Sequence, residues 1–167
     1  SRSASPPNGP WPCGPAPADP SGAMSRIMLA ISQIGGLPGA RAYHTSVIVD
    51  GLELSFSSCG IVKARGGPVS HSPWPRGSTD VYDVGTSRRT HKQVVNALAP
   101  HFQPGTYDLL RKNCNTFCDC ALFFLLRQRL SGSYNMLDRM GAGLPGLVNL
   151  VSGGAYKMNP LAKDFDL

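Results

Sequence analysis

Residues 43–56 read YHTSVIVDGLELSF, and their reading decides the fold. Apolar residues alternate through Val47 and Val49, Asp50-Gly51 supplies a two-residue turn, and the alternation resumes at Leu52, Leu54 and Phe56. Asp-Gly between two alternating runs is a β-hairpin signal, because both central residues of such a turn need positive φ. The two-residue period puts His44, Ser46 and Ile48 on one face of the first strand and Thr45, Val47 and Val49 on the other.

Working outward, Thr79 to Val84 forms another strand, closed by Gly85. Thr90 can cap a helix over 91–99, with Val94, Val95 and Leu98 on one side and Pro100 as its stop. A second helix is expected from Cys114 to about residue 130, ended by Gly132. In MSRIMLAISQI, residues 24–34, the spacing of Ile27, Met28, Ile31 and Ile34 predicts a short amphipathic helix stopped by Gly35-Gly36. Gly60 to Ser78, rich in glycine and proline, reads as a long surface loop, with Trp74 either rimming a binding site or anchoring the loop. The fold class is therefore α+β, a small antiparallel sheet packed against two or three helices.

The first twenty residues hold seven of the fifteen prolines and read as a disordered tail, in which Cys13 is incidental. The expected domain covers 21–145, followed by a C-terminal tail, 146–167, with only weak helical turns beyond Gly141. A chain of 167 residues, 41% hydrophobic, can bury a core without metal or disulfide support. The net charge of +6 is spread over scattered Lys and Arg, so no nucleic-acid partner is expected. Five cysteines, an odd count, and no signal-peptide pattern argue for free thiols in a reducing compartment, cytoplasmic or nuclear. The longest apolar run, residues 121–126, is far too short for a membrane span.

Three cysteines stand in NCNTFCDCALFFLL, residues 113–126. The C-x3-C-x-C spacing fits neither a zinc knuckle nor a disulfide, and no metal or cofactor is expected. At 3.6 residues per turn Cys118, Leu122 and Leu125 share a face, which makes Cys118 a core residue. Cys120 lies about 160° from that face and is undecided. Asn113 is a favoured N-cap type, which puts Cys114 in the first turn, where unpaired N–H groups and the helix dipole favour a thiolate. Arg111 and Lys112 add positive charge nearby in sequence.

A nucleophilic thiol needs a base, and His44, His71, His91 and His101 are available. His91 and His101 flank a surface helix, and His71 sits in a loop without rigid support. His44 opens a strand, where it could meet a helix start as the partner of a Cys–His dyad or simply be a satisfied structural histidine.

YHTSVIVDGLELSFSSCGI, residues 43–61, followed by VYDVG, 81–85, and YDLLRKNCNTFCDCALFFLL, 107–126, resembles the PPPDE family. These are permuted-papain-fold cysteine peptidases that include the DeSI-type desumoylating isopeptidases. The resemblance implies that His44 is general base and acid and Cys114 the nucleophile, cutting the isopeptide bond between a SUMO or ubiquitin C-terminal glycine and lysine. Asn113 and Asn115 would cap the helix or orient groups, backbone N–H groups at the helix start would serve the oxyanion, and Ser57, Ser58, Cys59 and Gly60 would wall a narrow slot. A homodimer is implied by the same resemblance. The family opens with a strand before its first helix, and the proline-rich N-terminus offers none, so that strand is expected to be missing. Two alternatives use the same scaffold: a thioesterase or acyltransferase with the same dyad, and an inactive binding module.

Overall fold

The computed structural model describes residues 22–37, 40–75, 78–134 and 156–162. The chain runs β1 (Ser25–Leu37), β2 (Ala40–Val49), β3 (Leu52–Ser57), β4 (Gly60–Arg65), a 3-10 turn at Val69–His71, β5 (Thr79–Ser87), α1 (His91–Leu98) and α2 (Cys114–Leu126). The strands form one antiparallel sheet in the order β4-β3-β2-β1-β5. The fold is α+β, as the alternation and helical periods imply. The proline-rich segment, Cys13 and residues 141–155 lie outside the described residues, and residues 156–162 form coil and a turn with no helix.

The expected helix over 24–34 is instead the central strand β1, paired to β2 on one side and β5 on the other. The same residues carry a two-residue period that the helical reading passed over. Ile27, Leu29 and Ile31 are buried on one face and Ala30 and Ser32 on the other, whereas Ile34 is 39% exposed. A strand buried on both faces shows little polar alternation, and that is what disguises it. The strand expected to be missing is therefore supplied by residues beyond the prolines. Gly35 and Gly36 do not stop a helix but sit where the β1–β2 register shifts.

The Asp50-Gly51 hairpin forms as read, with φ of 51° and 75° at its two turn residues. The segment expected to be one long loop after Gly60 begins with strand β4, hydrogen-bonded to β3 from Ser57–Gly60 to Leu52–Arg65. Helix α1 forms with a reciprocal Thr90–Gln93 capping box. Helix α2 ends four residues early, at Leu126, and its C-cap Arg127, with φ of 59°, turns the chain left-handed. Asp119 then catches the returning chain, accepting from the Leu130 N–H at 2.8 Å and from Arg129 at 2.7 Å.

One face of the sheet carries the apolar core. Ile27, Leu29, Ile31, Val47, Val49, Leu54 and Phe56 pack with Phe117, Cys118, Ala121 and Leu122 of α2 and with Val94, Leu98 and Phe102. The opposite face, with Ser32, His44, Ser46 and Glu53, meets the turn that carries Ser70 and His71. No helix among the described residues is long and apolar enough to cross a membrane.

Candidate active site

The start of α2 is built by its cap. The Asn113 side-chain oxygen accepts from the N–H groups of Asn115 (2.9 Å) and Thr116 (3.0 Å), and its amide donates to the Leu109 carbonyl at 2.8 Å. Asn113 is thus a cap, and it occupies two of the helix-start donors. Upstream, Asp108 shapes the approach by accepting from the Leu110 and Arg111 N–H groups, while Tyr156 and the Asn159 N–H bind the same carboxylate. Burial disfavours the charged Asp108, but these hydrogen bonds outweigh it and hold the carboxyl below its ordinary range.

Cys114 follows the cap and is buried, at 5% exposure. Its sulfur lies 3.9 Å from Asn115 Oδ1. The same oxygen accepts from the Thr45 hydroxyl at 2.9 Å, and the Asn115 amide donates to the carbonyls of Tyr43 and Tyr134, each at 3.2 Å. The residue after Cys114 is therefore bonded to both sequence neighbours of His44. The Arg111 side chain reaches Met158, and Lys112 lies over the Phe102 ring, 5.6 Å from its centre.

The His44 imidazole follows the strand alternation to the other face. Its Nε2 is 2.9 Å from Ser70 Oγ, and its ring lies 4.5 Å from that of His71 and 5.0 Å from that of Trp74. Burial first, then the neighbouring His71, pull its pKa down to about 4, with Glu53 partly opposing. The ring is neutral near pH 7.

His71, expected to lack rigid support, is 3% exposed and held at both nitrogens: Nδ1 is 2.8 Å from Ser32 Oγ and Nε2 is 3.0 Å from Ser46 Oγ. A 3-10 turn stabilised from inside the sheet supplies what the loop composition hid. Trp74 is half-buried over both histidines. Sequence reading also passed over Glu53, which is 1% exposed and accepts from Ser70. The signal was present: Glu53 shares its strand face with Ser55, at the two-residue period that sets it opposite Leu52 and Leu54.

Ser57, Ser58, Cys59 and Gly60 form the β3–β4 turn. The β2–β3 pairing runs only from Val49–Leu52 to Val47–Leu54, and continuing its register would bring Ser57 opposite His44. The turn thus belongs to the same end of the sheet as His44. It packs on the segment before α2: Gly105 donates to the Ser58 carbonyl at 2.8 Å, and Pro104 stands against Gly60. Cys59 is exposed. Cys118 and Cys120 are buried, and burial raises both thiols, Cys118 well above its ordinary value and Cys120 to about 12. Cys118 is a core residue as its helical position implies, and Cys120 joins it. Among the described residues no three His, Cys, Asp or Glu side chains are grouped to hold a metal.

A DeSI-like protein, sdu1, of the fission yeast Schizosaccharomyces pombe is 23% identical over 126 residues, covering 71% of this chain. The chain spans 62% of the length of that relative. The profile of the PPPDE putative peptidase domain matches residues 20–149, which takes in all five strands and both helices. His44, which lies inside β2 and not at its start, and Cys114 at the start of α2, joined through Asn115 and the neighbours of His44, sit inside that match, and the chain belongs to the PPPDE peptidase domain family.

Proposed function

We propose that the protein is a thiol isopeptidase that removes SUMO or ubiquitin from lysine, with Cys114 as nucleophile and His44 as general base and acid. The observation that carries this reading is the Asn115 tether, which joins the residue next to Cys114 to both neighbours of His44. Membership of the PPPDE peptidase family and the likeness to a DeSI-like protein support the peptidase-type chemistry, and the SUMO or ubiquitin conjugate is what the sequence resemblance implies.

In this mechanism a neutral His44 takes the Cys114 proton, which the buried, uncharged state of the ring allows. The thiolate attacks the glycine carbonyl, and the resulting oxyanion is stabilised by the positive end of the α2 dipole. Protonated His44 then gives its proton to the departing lysine amine, leaving a thioester on Cys114. Water attacks the thioester, His44 accepts the water's proton, and transfer of that proton to sulfur releases the glycine carboxylate and restores the thiol. The turn at Ser57–Gly60 would wall the slot for the Gly-Gly tail with small side chains.

The same reading takes the conjugated protein as partner, a homodimer as the assembly, and cytoplasm or nucleus as the location. Light scattering after size exclusion tests the dimer. SUMO and ubiquitin probes bearing a C-terminal electrophile test the activity. Labelling of the wild type at Cys114, lost in Cys114→Ala and slowed in His44→Ala, is the expected result. Labelling by an acyl phosphonate in place of both would move the substrate to acyl chains. A folded protein that no probe labels would be a binding module.

A further inference from the structure

Glu53 is the least expected residue of the sheet. It stands in the middle of a three-strand stretch, opposite Ile48 on β2 and Ala64 on β4, and is 1% exposed. A buried carboxylate is costly unless hydrogen bonds compensate it. Here both compensating bonds come from one residue: Ser70 donates its N–H to Oε2 at 3.0 Å and its hydroxyl to Oε1 at 2.6 Å.

A serine hydroxyl has a single proton. Since that proton goes to Glu53, Ser70 Oγ can only accept from His44 Nε2, 2.9 Å away. The hydrogen of the neutral His44 ring is thereby placed on Nε2, and Nδ1 becomes the basic nitrogen. His71 does not compete for this role. Its two nitrogens are occupied by Ser32 and Ser46, and its approach to Glu53 is 3.9 Å.

We propose that Ser70, polarised by the buried Glu53, is the orienting partner of His44, so that the base of the proposed dyad is held by a relay Glu53–Ser70–His44. This rests on the reading of His44 as the base. Both are positioning residues: they fix the tautomer and ring angle that leave Nδ1 to take the thiol proton. They also stabilise the imidazolium formed when it does, because a carboxylate-backed acceptor strengthens as the ring becomes charged. A serine interposed between acid and base places the carboxylate one residue beyond His44, where it acts on the ring through the Ser70 hydroxyl.

Long-range proton–nitrogen NMR on the full chain reads the tautomer directly. The wild type is expected to carry the His44 proton on Nε2. Ser70→Ala should lose that fixed tautomer and lower turnover of a SUMO or ubiquitin aminocoumarin by roughly 10- to 100-fold, the value of one hydrogen bond to a charged group. The rate of Cys114 alkylation by iodoacetamide should fall with it. Ser70→Thr, which keeps the hydroxyl, should restore both, and Glu53→Gln should give a partial loss while keeping the shape of the site.

An Nδ1-protonated ring in the wild type would overturn the relay. So would a Ser70→Ala protein with unchanged tautomer, turnover and alkylation while His44→Ala is impaired. Turnover that survives Cys114→Ser would instead sink the peptidase reading, and the tautomer measurement would still decide the relay by itself.

Discussion

Thr45 donates to Asn115 across 2.9 Å, and this one bond links the sheet to the start of α2 over 70 positions of sequence. Asn115 completes the link through the Tyr43 and Tyr134 carbonyls. Replacing Asn115 by Leu would leave two carbonyls and a hydroxyl without this partner in a buried setting. The expected loss is about 2–4 kcal/mol of stability, because an unsatisfied buried group costs about 1–3 kcal/mol and the two carbonyl contacts, only partly buried, are partly re-satisfied by water. Urea unfolding measures it. Cys114 labelling should fall more than stability does, and a fully active Asn115→Leu protein would show that the tether does not align the site.

The cysteines should separate by reactivity in the native protein. Burial holds Cys118 and Cys120 as thiols, whereas Cys59 is exposed. Alkylation at pH 7.5 followed by peptide mass spectrometry should modify Cys59 and Cys114 and spare Cys118 and Cys120 until denaturant is added. Fast native modification of Cys118 would contradict its place in the core.

Acid should destabilise the fold in a defined window. Burial lowers the pKa of His44 to about 4 and also lowers that of His71, while each histidine titrates near 6.5 in the unfolded chain. Between those limits the unfolded state binds more protons, so stability is present above about pH 6.5 and is lost as pH falls toward 4. The charged group facing both rings is Glu53, which opposes the shift without cancelling it. The urea midpoint should drop between pH 7 and pH 4.5, and His71→Gln should flatten that slope.

Gly60 has φ of 86°, and a Cβ there would meet Pro104 at 3.0 Å. Gly60→Ala therefore meets both backbone strain and a close contact, and should cost about 1–3 kcal/mol. Thermal unfolding reads the cost, and the shift should exceed that of Gly66→Ala, where φ is 98° but nothing lies within 4 Å.

The elements that were legible are those whose signals are local. Asp50-Gly51 dictates its turn through positive φ, Thr90 and Asn113 dictate helix starts through their side-chain oxygens, and Cys118 follows from helical period. Strand β1 was misread because burial on both faces removed the polar residues that distinguish the two periods. Strand β4 was hidden by the lysine and arginine of an edge, whose outward face has no core to record.

The sequence by itself determined the hairpin and the capped helix with Cys114 in its first turn, while the pairing of that cysteine with His44 is what a resemblance implies. Only the tertiary structure decided what surrounds the histidine. His71, Ser70 and Glu53 are separated from it by 27, 26 and 9 positions and gather only when the turn at Val69–His71 folds onto the sheet. Their buried polar groups must find partners, and they find them in one another and in Ser32 and Ser46 of the sheet.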